Sequence, residues 1–352
     1  MPSFYNFLLT EKIQKGSFAL SRLPFSDSCT CYYQASPPSE FYNLNSLNGK
    51  KGFIFAPFIA SKKYPILLFE DAVSKKITLP PPGEKILLKD FENKDIDISY
   101  TKAFNTFYNA LQNNLFDKLV LARYVDIKTS HINLESIFLE ACKQYPQQHI
   151  ILVSTPQSGI WLMATPEILL DKINGNIWHT MALAGTMHKD KCNIKWSNKN
   201  KEEHNYVVKY ILNCLQQYSN SINVSEPFTT FASNLAHLRT DFQFTLTNEN
   251  NIGNLLSTLH PTPAVCGIPK EAAKDFILSN EGIDRSYYSG FIGPLNINNK
   301  THLYVSLRCM QIMDNCCRLY AGGGLLSESE KESEWQETEA KLQTMLQLLQ
   351  QT

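Results

Sequence analysis

The chain has 352 residues, enough for one large domain or two ordinary ones with a sizeable core. Lysine plus arginine number 33 and aspartate plus glutamate 33, so the formal net charge is zero. That excludes the basic excess of a nucleic-acid binder and the acidic excess of a disordered tail. With 43% apolar residues and no apolar run of about eighteen, a folded protein without a transmembrane helix is expected.

The first residues, MPSFYNFLLTEKIQKGS, have no cationic start and no small-residue cleavage site, so no secretory signal is expected. The first hundred residues read as short strands and turns, best formed at Gly52 to Phe58 and Pro65 to Glu70, before a loop at Pro80, Pro81 and Pro82. Helical spacing from Tyr100 to Asn114 precedes a strand from Lys118 to Ile127. A second helix starting at Leu134 leads to strands His149 to Thr155 and Ile160 to Ala164. An amphipathic helix begins near Lys199, with Val207, Val208, Ile211, Leu212 and Leu215 as its stripe and Glu203 one turn earlier on that face. One long strand is expected from His302 to Ile312, another from Cys317 into Gly322, Gly323 and Gly324, and a last helix from about Ser329 to Gln350. Neither an internal repeat nor a long linker is visible. Nine cysteines (Cys29, Cys31, Cys142, Cys192, Cys214, Cys266, Cys309, Cys316 and Cys317) form no CxxC pair, which reads as reduced thiols in a cytoplasmic protein.

Several positions carry chemistry. The last helix opens with six acids against two lysines between Ser327 and Lys341. Glu334 and Glu337 share one of its faces, with Lys341 a turn further on. Such a pair suits a hard cation such as Mg²⁺, although on spacing alone a solvated helix start is the simpler reading. Glycines 322 to 324 read as a strand-to-helix turn that lets amides approach an anion. Arg308, inside an apolar strand, is either a carboxylate clamp or a structural ion pair. Taken alone, Lys118 reads as a snorkelling lysine and Glu167, after Pro166, as a surface acid.

In order, however, these segments resemble the chorismate-utilising enzymes: FDKLVLAR (116–123), ATPEILL (164–170), LAGT (183–186), KEEH (201–204), LHPTPAVCGIP (259–269), DRSYYSG (284–290), SLRC (306–309), YAGGG (320–324) and EWQETEAKL (334–342). The likeness covers residues 105–350, and residues 1–100 match only loosely. It implies one α+β domain over 1–352, similar to anthranilate synthase component I, with two stacked β-sheets flanked by helices.

Within the family, Lys118 resembles the water-activating lysine of isochorismate and salicylate synthases, where ammonia-using members carry glutamine. Ala184 stands where aminodeoxychorismate synthases have a lysine. The resemblance therefore implies an isochorismate synthase, an isomerase that adds water beside the carboxylate-bearing carbon of chorismate and releases the ring hydroxyl. Lys118 is implied as base and Glu167 as acid. Glu203, Glu334 and Glu337 are implied Mg²⁺ ligands, Arg308 and the Gly322 amide hold the enolpyruvyl carboxylate, and the Gly185 amide holds the ring carboxylate. Thr186, His237, Tyr288 and Lys341 are placed near the substrate. Such a base must titrate below an ordinary lysine, and such an acid must keep its proton near pH 7.

Tyr288 and Leu307 are shared with salicylate-forming relatives, so pyruvate elimination stays an alternative. A non-catalytic chorismate binder would lack an acid, base or ligand, and every matched position is filled. No glutamine amidotransferase subunit is expected, and a monomer is. Isochorismate can feed menaquinone or siderophore biosynthesis, with menaquinone the expected use. The zero net charge then reads as segregation, with Lys189, Lys191, Lys195, Lys199 and Lys201 against the acidic last helix.

Overall fold

The structure, a computed structural model, describes residues 16–81, 96–129, 132–188, 195–232 and 235–350. The first fifteen residues, Pro82, Lys189, Lys191 and Cys192 lie outside them. The chain opens with strands β1 (Ser17–Arg22), β2 (Ser28–Gln34), β3 (Ser39–Phe41), β4 (Gly52–Ala56), β5 (Ile66–Phe69) and β6 (Val73–Thr78). Helix α1 (Ile98–Gln112), β7 (Lys118–Lys128), α2 (Leu134–Gln144), β8 (His149–Thr155), β9 (Gly159–Thr165), β10 (Ile168–Asn174) and β11 (Ile177–His188) follow. Next come α3 (Asn198–Leu215), β12 (Ile222–Val224), β13 (Phe228–Ala232), β14 (Leu235–Thr245), α4 (Ile252–Leu259), β15 (Gly267–Ile268) and α5 (Lys270–Asn280). The last part is β16 (Phe291–Leu295), β17 (His302–Val305), β18 (Cys309–Ile312), β19 (Cys316–Leu325) and α6 (Lys331–Leu349).

These strands build two antiparallel sheets, ordered β15-β7-β19-β18-β9-β8-β1-β2-β6 and β12-β14-β11-β10-β17-β16-β4-β5-β3. The first hundred residues thus supply the far edge of both sheets. Alternation along β4 shows the layering. Phe53 and Phe55 point between the sheets, against Ile151, Trp161 and Met163 of the other sheet, while Ile54 and Ala56 point outward into the core under α3 and α4. Sheets buried on both faces read as continuous apolar runs, which is why GFIFA and ILLF are legible as strands. On the outer face of the nine-stranded sheet, Leu152, Leu162 and Ala164 pack under α2 and α6. Each fully buried Phe or Ile contributes roughly 1.5–3 kcal/mol. The α+β arrangement of two stacked sheets with helices outside is the expected fold.

Two expectations fail locally. The stretch from His302 to Ile312 is two strands, β17 in one sheet and β18 in the other, parted at Ser306–Arg308. Hydropathy cannot report the break, because both halves are equally buried. Glycines 322 to 324 form no turn; they continue β19, paired with Ala122, Leu121 and Val120 of β7.

Candidate active site

Two neighbouring chain segments cross between the sheets side by side. β9 passes into β10 through Pro166 and Glu167, and β17 passes into β18 through Ser306, Leu307 and Arg308. The crossings are tied by Val305 N–H donating to Glu167 O (2.9 Å), Ala164 N–H to Arg308 O (3.0 Å) and Thr165 Oγ1 to Val305 O (2.7 Å). Arg308 bends there with φ +45°, a left-handed backbone unusual for a non-glycine residue and held by this network. The crossings aim Glu167 and Arg308 into a cleft of about 660 Å³ including its open mouth.

The cleft is also lined by Gly185, Thr186, Glu203, His237, Tyr288, Gly322, Glu337 and Lys341. Lys118 and Glu334 stand directly behind this lining, against Glu203 and the glycine stretch of β19. All twelve candidate residues from the sequence therefore converge. Ala184 and Leu307 also line the cleft.

The glycines of β19 explain the convergence. A Cβ on Gly324 would lie 2.1 Å from Glu203 Oε1 and 2.9 Å from Lys118 Cε. One on Gly323 would lie 3.3 Å from Glu334 Oε2 and 3.7 Å from Glu337 Oε1. Side chains from α3, α6 and β7 thus occupy the space that β19 leaves. This joins the two helices, which sequence spacing alone could not do.

Each carboxylate there has a lysine. Lys118, fully buried, lies 3.0 Å from Glu203 Oε1, an ion-pair separation, yet its ammonium makes no hydrogen bond of acceptable angle. It is no snorkelling lysine. Lys341 donates to Glu337 Oε1 (2.6 Å) and to Gly322 O (2.8 Å). Lys199 pairs with Glu334, which also accepts from Ser329 Oγ (2.7 Å). Burial and the neighbouring Glu337 raise the Glu334 pKa. Burial would raise Glu337 as well, but Lys341 outweighs it and holds that carboxyl below its usual range.

Glu167 is different. It is buried, and among the described residues its carboxyl makes no hydrogen bond or ion pair. Burial pushes its pKa up to about 8, against the pull of Lys118 and Lys341. It is thus no surface acid.

His237 is buried and pulled down to about 3 by burial and by the Arg308 and Lys341 charges, so the ring is neutral. Arg308 Nη2 lies 3.1 Å from His237 Nε2, and a guanidinium only donates. Nε2 is therefore the acceptor, and the ring proton sits on Nδ1, facing Gly185 O at 3.1 Å. Gly185 has φ +74° at a register shift between Ala184 and Thr186, a β-bulge geometry that leaves a residue out of the ladder. Among the described residues Arg308 has no ion-pair partner, so the structural ion pair is not formed; its guanidinium contacts only His237 and, at 3.3 Å, Thr344 Oγ1.

Sequence reasoning missed Lys199 as a partner of Glu334, Ser329 beside it, and His204. Buried against Thr240 Oγ1 (2.8 Å), His204 is pulled down to about 4 by burial and by Lys118. Lys199 had a signal, since it stands one helical turn before Glu203. Arg285, in the DRSYYSG segment, binds Glu281, Val120 O (2.8 Å) and Val265 O (2.7 Å), while Glu281 accepts from Ala122 N–H (2.7 Å). This pair completes the edge of β7 beyond β15, the strand that carries Lys118.

Three oxygen-donor side chains at one glycine cradle are the donor chemistry of a hard cation that keeps water and substrate oxygens in its shell. The residue types match that chemistry, but among the described residues no group of three or more such side chains is placed to hold a metal ion.

A family model described as chorismate binding enzyme matches residues 69–350. The chain belongs to that family. The isochorismate synthase EntC of Escherichia coli K12 is 32% identical over 241 residues, 65% of this chain and 61% of EntC. The match thus spans about three fifths of that relative. DhbC from Bacillus anthracis shares the fold with a TM-score of 0.79 at 24% identity, covering 95% of this chain and 96% of that one. Anthranilate synthase component I from Streptococcus pneumoniae TIGR4 shares it with a TM-score of 0.66 at 20% identity, covering 92% and 81%. Among the described residues, no helix of this family member is long and apolar enough to cross a membrane.

Proposed function

We propose that the chain is an isochorismate synthase that converts chorismate to isochorismate with Mg²⁺. The observation that carries this reading is one cleft lined by a buried carboxyl, Glu167, that keeps its proton to about pH 8, with a fully buried lysine, Lys118, directly behind the lining. Lys118 takes a proton from water as the water oxygen bonds to the ring carbon beside the carboxylate-bearing one. The ring double bond shifts, the C–O bond to the ring hydroxyl breaks, and Glu167 delivers its proton so that water leaves. Arg308, steadied by neutral His237, and the Gly322 amide hold the enolpyruvyl carboxylate; the Gly185 amide holds the ring carboxylate. Glu203, Glu334 and Glu337 would hold Mg²⁺, which when bound would supply positive charge for the ring carboxylate. Lysine rather than glutamine at 118 and alanine at 184 support water as the nucleophile, and similarity to EntC supports the same reaction.

Incubation with chorismate and Mg²⁺ followed by chromatography is expected to show isochorismate, and no conversion would overturn the reading. Tyr288 and Leu307, shared with salicylate-forming relatives, both line the cleft. Salicylate plus pyruvate in the same chromatogram would shift the assignment to a salicylate synthase. Chelation by EDTA is expected to stop turnover and added Mg²⁺ to restore it; activity that persists in EDTA sinks the metal assignment. The product is a precursor of menaquinone or of catechol siderophores.

A further inference from the structure

Of the three lysines among the carboxylates, Lys199 has no part in the chemistry above. Lys118 is sealed, with none of its side chain exposed, and Lys341 is tied twice, to Glu337 and to Gly322 O. Lys199 retains 23% of its side-chain surface, while its partner Glu334 retains 2%. Among the described residues Lys199 makes no hydrogen bond except the one to Glu334.

Helix stability does not account for its position. Lys199 lies in the first turn of α3, where the helix dipole disfavours a cation, and that turn holds no acid to offset it. The compensation comes from across the cleft. Its ammonium pairs there with Glu334 of α6. Lys199, the most exposed of the three lysines (23% against 17% for Lys341) and the one hydrogen-bonded to a single partner, thus stands among the three carboxylates suited to a divalent cation.

Resting on the proposed cation site, we infer that Lys199 is a displaceable internal counter-ion. It neutralises Glu334 in the free enzyme, swings outward when a divalent cation enters, and so weakens cation binding in the absence of substrate. The reaction would be protected from cation capture by an empty cleft.

The test is direct metal binding without chorismate, by Mn²⁺ electron paramagnetic resonance and by calorimetric titration with MgCl₂ on the full chain. Removing a like charge this close to the entering ion should tighten binding by roughly tenfold or more in Lys199→Met. Lys199→Arg, which keeps the charge, should bind like the wild type. A purely supporting lysine predicts the reverse, with weaker binding in Lys199→Met. Equal or weaker binding there overturns the inference; Lys199→Gln serves if the Met variant does not fold. If Glu334→Gln loses binding while Lys199→Met matches the wild type, the counter-ion role falls and the cation site stands. If Glu334→Gln also binds like the wild type, both fall.

Discussion

The sheet-crossing wall of the cleft and its helical wall both bury carboxyl groups, but Glu167 on the first and Glu337 on the second treat the proton oppositely. On the crossing wall, Glu167 has no bonded cation, and burial leaves it protonated to about pH 8. On the helical wall, Glu337 is gripped by Lys341 and held in its charged form, although burial opposes this. Lys118 and Lys341 reach Glu167 only through space. Burial sets how much a charge costs; Lys341 meets that cost at Glu337, whereas at Glu334 burial and the charge of Glu337 outweigh Lys199. Glu167 can donate a proton; Glu337 is an anchor.

The comparison breaks hardest at its two extremes. Glu167→Gln and Lys118→Ala are each expected to lower turnover by about 10³-fold or more with the fold intact by circular dichroism. Near-normal turnover in either purified variant removes that residue from its role. Gly324→Ala comes next, because its methyl would sit 2.1 Å from Glu203 Oε1 and displace Lys118 as well. A loss of about 10²-fold is expected there, and a smaller one for Gly323→Ala, whose methyl meets flexible carboxylate ends at 3.3 and 3.7 Å. Steady-state rates that rank the two glycines the other way would contradict the packing described.

The smallest effects are in pH. Since Glu167 acts when protonated, kcat should fall with unit slope above about pH 8. The stability consequence has the same origin. The folded chain holds the Glu167 proton more tightly than the unfolded chain, so stability from this group is full below the ordinary carboxyl value and is lost as pH rises toward about 8. Denaturant titrations of the wild type and Glu167→Gln should therefore diverge over that window, with the variant gaining on the order of 4 kcal/mol at its alkaline end. Parallel curves would mean that Glu167 is ionised in the folded enzyme.

The sequence carried the helical wall better than the crossing wall. Glu203 on the stripe of α3 and Glu334 with Glu337 on α6 follow from helical period, and α1, β7 and β8 fall close to their expected bounds. The motif resemblance supplied the pairing of sheets that local pattern could not. Arg308 shows why pattern stops short: a strand that changes sheets stays apolar on both sides of the bend, so nothing in hydropathy marks it. The glycines of β19 were misread for a related reason. Three in a row look like a turn until the carboxylates that need their missing side chains are in place. Lys199 was visible only as one lysine in a basic stretch, because its partner lies 135 residues away.

The paired crossings have one mechanical consequence. Both strands change sheets at the same place and are stitched to each other there by main-chain bonds. The position of Glu167 is thereby tied to that of Arg308 through the backbone, independently of the conformation of either side chain.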